Sequence, residues 1–126
     1  MDRPRRAQGA ATVTALYHAF LNSWRGLVFG ARTERAIRLE LALLALGLPA
    51  ALLLGGTLWV RVALLVSLLL MLGAEFLNTA IEKLCDHLHP GRHPRIGIVK
   101  DLASAGAFLT QVIAALVWLA ALIDRL

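Results

Sequence analysis

From Leu41 to Val60 the chain runs for twenty residues without a charge, interrupted only by Gly47, Pro49 and Gly55-Gly56-Thr57. A second apolar run, Val62 to Ala74, adds thirteen residues, and its helical pattern continues through Phe76, Leu77, Ile81 and Leu84. The third, Leu102 to Ile123, holds twenty-two residues with only Ser104, Thr110 and Gln111 as polar interruptions. A helix needs about 20 residues, rising about 1.5 Å each, to cross the hydrocarbon of a membrane. The first and third runs meet that length directly. The middle one meets it when Glu75, Asn78 and Glu82 belong to the same helix and sit near one membrane edge. A water-soluble bundle would carry polar stripes along all three segments, and they are missing. The pattern predicts transmembrane helices over 35–55, 58–87 and 98–124.

The start of the chain has a different rhythm. Val13, Leu16, Tyr17, Phe20, Trp24, Leu27 and Val28 recur at helical spacing, while Thr14, His18, Asn22 and Arg25 take the other side. This predicts an amphipathic helix over 11–30, suited to lying in the membrane interface. The expected architecture is therefore an all-α membrane protein, an N-terminal amphipathic surface helix plus three transmembrane helices, forming one domain over 1–126. Arg3, Arg5 and Arg6 precede no uninterrupted apolar core with a small-residue cleavage site, so no cleaved signal peptide is expected.

Composition agrees with lipid as the solvent. Of the 126 residues, 59% are hydrophobic and 17% charged, against about 45–50% and about 25% in soluble domains. The net charge of +5 would by itself point to nucleic acid or an anionic membrane surface, and the apolar content selects the membrane; no nucleic-acid partner is expected. The positions of the basic residues carry more than their sum. Seven (Arg3, Arg5, Arg6, Arg25, Arg32, Arg35 and Arg38) precede the first span, and Lys83, Arg92, Arg95 and Lys100 surround the loop between the second and third. Only Arg61 and Arg125 fall on the other side. The positive-inside rule then puts the N-terminus and the second loop in the cytoplasm. Cys85, alone and near that edge, is expected as a reduced thiol.

The second span carries the chemistry. Glu75, Asn78, Glu82 and Asp86 are spaced three, four and four, so they stack on one helical face. A carboxylate in hydrocarbon costs about 2.5–3.5 kcal/mol on insertion scales, and a stripe of them calls for cations, metal or water. One reading is helix–helix adhesion, with Asn78 and Thr79 hydrogen-bonding across helices and the acids paired to Arg38 or Lys100. The other is a site, because Glu34, Glu75, Glu82, Asp101, Asn78 and Lys100 gather at one membrane edge. Hard oxygen donors with a lysine suit Mg²⁺ and phosphate better than zinc or haem. Lys100-Asp101 is read as opening the third helix, where Asp101 would also complement the positive helix end. His87, His89 and His93 have loose spacing for zinc and read as solvated interfacial histidines. Trp24, Trp59 and Trp118 read as interfacial anchors. No Walker loop, dinucleotide fingerprint or protein-kinase catalytic loop is present.

Glu75-Phe-Leu-Asn78-Thr79-Ala80-Ile81-Glu82, followed by Lys100-Asp101 and Ser104, resembles the signature of the bacterial diacylglycerol kinases, small integral-membrane lipid kinases. Ser23-Trp24-Arg25-Gly26 in the surface helix, and Glu34 with Arg38 and Glu40, fit the same family, and the resemblance covers nearly the whole chain. It implies a homotrimer in the bacterial cytoplasmic (inner) membrane, with the active sites facing the cytoplasm. It implies transfer of the γ-phosphoryl group of MgATP to diacylglycerol, giving phosphatidic acid, a step of phospholipid metabolism. The matching positions make Glu75 the general base, with Asn78 and Lys100 as its catalytic companions, and Glu34 and Glu82 the Mg²⁺ ligands. Glu34, Glu82, His93, Lys100, Asp101 and Asn22 fall on the ATP side. Trp24, Arg38, Glu40, Glu75 and Ser104 fall on the lipid side, and Trp118 is counted with them. The sequence departs from the family at Ala15 and Asn22, where relatives often carry a basic residue and a tyrosine. Asn22 retains hydrogen-bonding capacity and Ala15 does not. The His93-Pro94 loop is similar to that of the related undecaprenol kinases, which makes undecaprenol the alternative acceptor. A non-enzymatic membrane subunit or proton relay would explain Glu75 and Glu82 but not Lys100-Asp101.

Overall fold

The computed structural model describes residues 5–126, with side chains from residue 9 on. Arg3, one of the residues counted for topology, lies outside the described residues. The described residues form four helices in order: α1 (Arg5–Thr33), α2 (Arg35–Leu54), α3 (Leu58–Leu88) and α4 (Pro94–Arg125). It divides into two compact units, Met1–Glu34 and Arg35–Leu126.

The first unit is the single helix α1. It runs past the predicted 11–30 at both ends, and its predicted apolar face is exposed, Val13, Leu16, Phe20 and Trp24 included. Thr14 donates to the Ala10 carbonyl at 2.9 Å, the back-bond that lets a hydroxyl sit inside a helix. Thr33 does the same toward Phe29, and the Glu34 N–H reaches the Gly30 carbonyl at 2.9 Å, so the helical turn closes over Glu34.

In the second unit α2, α3 and α4 are each long and apolar enough to cross a membrane. With 20, 31 and 32 residues, they span about 30, 46 and 48 Å. The α2–α3 turn is built by Gly55-Gly56-Thr57. Thr57 is the N-cap of α3, its hydroxyl accepting from the Val60 N–H at 3.3 Å. Two carbonyls at and just beyond the end of α2 accept from the two arginines on that side. Arg61 donates to Gly55 O at 3.0 Å and Arg125 to Leu53 O at 2.7 Å. Cations at a helix C-terminus also complement its dipole, so the two exceptions to the charge asymmetry do structural work.

α3 is the middle helix, packed along its length against α4 on one side and α2 on the other. Its seam is read off burial. Leu64, Leu68, Met71, Glu75, Asn78 and Cys85 are buried, with Glu82 half-buried at the remaining step, a four–three alternation that gives knobs-into-holes packing. α4 meets it with small residues seven apart, Ala107, Ala114 and Ala121, all buried. α2 contributes Ile37, Glu40, Gly47 and Ala51. Lipid supplies no hydrophobic drive between helices, so close approach of small residues and interhelical hydrogen bonds must hold them together. A Cβ on Gly47 would strike Leu68 Cδ1 and come within 3.4 Å of the Trp118 ring. The Trp118 N–H donates to the Leu64 carbonyl at 3.2 Å. Trp118 is thus turned inward between helices, while Trp24 and Trp59 are exposed as anchors would be.

Large apolar side chains cover the outside of the helices, among them Leu46, Leu53, Leu77, Phe108 and Leu116. Water would not tolerate such a surface on a lone chain, and hydrocarbon solvates it.

Candidate functional site

The seam of α3 changes character half-way. Toward its N-terminus it is Leu64, Leu68 and Met71; toward its C-terminus it is Glu75, Asn78 and Glu82. The acid stripe is therefore the continuation of the packing surface, and its groups face neighbouring helices instead of lipid. Glu75 is 8% exposed and Asn78 9%. The Asn78 Nδ2 donates to Glu82 Oε1 at 3.4 Å, one turn along the helix. The Asn78 Oδ1 is buried and has no hydrogen-bond partner, so it is an acceptor waiting for a donor or a cation.

Glu40, from α2, is 6% exposed and lies within electrostatic reach of Glu75. One of its oxygens accepts from Gln111 of α4 at 3.3 Å; the other is buried without a partner. Two carboxyls at one depth, each nearly enclosed, are costly in a low dielectric. Such an expense marks a functional site more readily than a device for joining helices.

At the hairpin end of α3 and α4, Lys100 pairs with Asp86 at 2.8 Å. Of the acids on the stripe that the adhesion reading pairs to Arg38 or Lys100, the ion-pair partner of Lys100 is the outermost. Asp86 and Lys100 stand seven residues either side of His93, so the antiparallel α3–α4 hairpin brings them level. The expected opening of the last helix is corrected. α4 begins at Pro94 with His93 as its N-cap, because proline's fixed φ suits the first helical position. Lys100-Asp101 therefore lies well past the first turn, and Asp101 does not complement the helix end; the first turn has no acid. Asp101 and Ser104 are exposed, as is Arg38 at the start of α2.

The hairpin loop borders an open pocket of about 650 Å³ lined by Asp86, His89, Arg92, His93 and Lys100 among others. The His93 Nδ1 accepts from the Arg95 N–H at 3.2 Å, which leaves the ring proton on Nε2 as a donor. His89 holds Gly91 O through Nδ1 at 3.0 Å, and the two imidazoles meet edge to face with centroids 5.0 Å apart. Guanidinium, ammonium and imidazole N–H around one pocket are donors of the kind phosphate oxygens accept from, with the Asp86 carboxylate beside them.

The first unit holds the remaining predicted residues. Asn22 accepts from the Arg25 guanidinium, Trp24 is exposed, and Glu34 is half-buried and accepts from the Thr33 hydroxyl at 3.1 Å. Among the described residues no three His, Cys, Asp or Glu side chains converge closely enough to cage a metal. Mg²⁺ seldom asks for such a cage, since it is usually held by one or two carboxylates together with substrate phosphates. The Glu82 carboxylate and the orphaned Asn78 carbonyl fit that mode.

Sequence comparison decides the family. Residues 21–122 match the family model for prokaryotic diacylglycerol kinase. The chain belongs to that family. Proteins named diacylglycerol kinase from Haemophilus influenzae, Escherichia coli K12 and Pseudomonas aeruginosa are 32%, 30% and 30% identical to it. The matches cover 84%, 89% and 91% of this chain and 90%, 92% and 94% of those proteins. A diacylglycerol-kinase-type enzyme is a phosphotransferase, and a kinase family implies ATP as co-substrate. The matched region takes in the whole α3 stripe, the hairpin loop and Lys100-Asp101. Two partners were not singled out from sequence: Asp86, one of several acids open to Lys100, and Gln111 as the partner of Glu40. The first had a signal in its spacing about the loop. The second had none, because Glu40 and Gln111 are 71 residues apart.

Proposed function

We propose that the protein is a lipid kinase that transfers the γ-phosphoryl group of MgATP to diacylglycerol, giving phosphatidic acid and ADP. The observation that carries this reading is the position of Glu75. It is a buried carboxyl on the packing seam, about 10 Å deeper along α3 than Glu82. A base at that depth suits an acceptor arriving from the lipid, and the donor-lined pocket at the loop suits a co-substrate arriving from water. The names of the relatives support diacylglycerol as that acceptor.

A lipid alcohol is a very weak acid, so its proton must leave as the new O–P bond forms. Glu75 accepts that proton, while the bond from the γ-phosphorus to the β–γ bridging oxygen breaks and ADP departs. Phosphoryl transfer otherwise needs positioning and charge neutralisation. Lys100, held at the edge by Asp86, offsets charge on the phosphates with His93 and Asp101 beside it, and Asn78 orients its neighbours on the stripe. Mg²⁺ on Glu82, and on Glu34 by the family resemblance, would draw charge from the phosphate oxygens. The family resemblance alone assigns Asn22 to the nucleotide side. Trp24, Arg38, Glu40, Ser104 and Trp118 take the lipid side. The same resemblance supports a homotrimer, and the charge asymmetry supports a cytoplasmic N-terminus and hairpin loop in the bacterial inner membrane.

Purified protein in mixed micelles with Mg²⁺ and γ-labelled ATP tests the assignment. Label in diacylglycerol is expected. Label confined to undecaprenol moves the chain to the other acceptor, and label in neither lipid removes the lipid-kinase reading.

A further inference from the structure

Gln111 is the polar residue among the walls of an otherwise apolar crevice of about 420 Å³ between α2, α3 and α4, lined by Leu43, Gly47, Met71 and Trp118 among others. A primary amide at the middle of a spanning helix, exposed on that crevice, is an unfavourable residue in hydrocarbon unless its hydrogens are used. One is used on Glu40 Oε1, at 3.3 Å. As adhesion between α2 and α4 this is a poor design. An amide facing an amide would satisfy both helices without a carboxyl, whereas here the second Glu40 oxygen is buried with no partner. The same carboxyl lies within electrostatic reach of Glu75, which adds repulsion to the cost.

The orphaned oxygen and the amide that holds its twin are intelligible together if a third group completes the set. We infer that Gln111 is a positioning residue for the acceptor: its amide fixes one oxygen of Glu40 so that the other receives a hydrogen bond from the polar head of the lipid alcohol. The inference rests on the lipid-kinase reading and deepens its acceptor side. Gln111 acts through Glu40 and takes no part in the transfer itself. The crevice runs from Gln111 toward Trp118, away from the hairpin loop, so the polar group that Glu40 awaits and an apolar wall for a chain adjoin one another.

The test is steady-state kinetics in mixed micelles, varying diacylglycerol and MgATP separately, with a thermal melt of each variant. Gln111→Met keeps the length of the side chain and removes the donor. It is expected to raise the KM for the lipid about tenfold, the loss of one hydrogen bond to a charged group, and to leave the KM for MgATP unchanged. The exchanged pair, Glu40→Gln with Gln111→Glu, restores an amide–carboxylate bond between the helices with its ends reversed. It is expected to melt like the unsubstituted protein and still show the raised lipid KM, because the carboxyl is no longer on α2. Recovery of both quantities in the exchanged pair, or an unchanged lipid KM in Gln111→Met, assigns Gln111 to adhesion and overturns the inference while the kinase reading stands. If the single variant does not fold, the exchanged pair alone decides. Unsubstituted protein that labels no lipid alcohol removes the underlying reading and the inference with it.

Discussion

Glu75 and Lys100 show how far one residue's surroundings set its role. Glu75 is held nearly enclosed, on a face that packs against other helices, where a carboxylate has lost most of its water. Glu75→Gln keeps the shape and removes the proposed base, so turnover is expected to fall by about 10²-fold or more. Binding of a fluorescent MgATP analogue, proposed to use the other end of the stripe, is expected to stay within twofold, roughly the precision of such a titration. Near-normal turnover would take the base role from Glu75. Lys100 presents the opposite case, with its side chain 38% exposed and that of Asp86 64%. An ion pair this open contributes little to stability, so the role proposed for it is to place the ammonium. Asp86→Asn is expected to leave the melting temperature nearly unchanged and to raise the KM for MgATP severalfold. A change in the melt with no change in KM would make the pair structural.

Among the elements, the α2–α3 contact is the one most tightly specified. Gly47 lets the two backbones approach where Leu68 and Trp118 fill the space that a side chain would need. Gly47→Val is expected to cost about 1–3 kcal/mol, the usual penalty of forcing added carbons into a packed core. A thermal melt in detergent reads it, and a melt equal to that of the unsubstituted protein would show that the helices slide freely there. The same crossing holds Trp118, whose inward indole N–H on the Leu64 carbonyl ties α4 to α3. An α4 that begins at Pro94 instead of residue 98 moves Lys100-Asp101 from a helix end into a helix body. There their neighbours are set by the face of α4, and the dipole of the first turn no longer reaches them.

On the scale of the whole molecule, the charge asymmetry makes a prediction that does not depend on catalysis. The hairpin loop between α3 and α4 should face the cytoplasm and the Gly55-Gly56-Thr57 turn the opposite side. In a Cys85→Ser background, Gly91→Cys is expected to react with a membrane-impermeant thiol reagent only in inside-out vesicles. Gly56→Cys is expected to react only in intact spheroplasts. The reverse pattern would invert the topology and place the hairpin pocket outside. Arg61 and Arg125 bear on the same point. Both are occupied by carbonyls at the end of α2, so their presence on the far side answers a local need of that helix and leaves the asymmetry of the other basic residues intact.

The number of helices, their spans and the membrane as their solvent were legible in the hydrophobic pattern, because lipid demands long apolar runs with every backbone group bonded internally. So was the alignment of Glu75, Asn78 and Glu82, which a helix of 3.6 residues per turn imposes on spacings of three and four. What those residues face was decided only in three dimensions. The period that aligns a stripe does not say whether it looks at lipid or at another helix, and here the packing seam turned it inward. Partners distant along the chain, Glu40 with Gln111 and Trp118 with Leu64, depend on the register between helices, which no local pattern encodes. The pairing of Lys100 with Asp86 lies between these cases, because a short loop constrains which positions of two antiparallel helices come level.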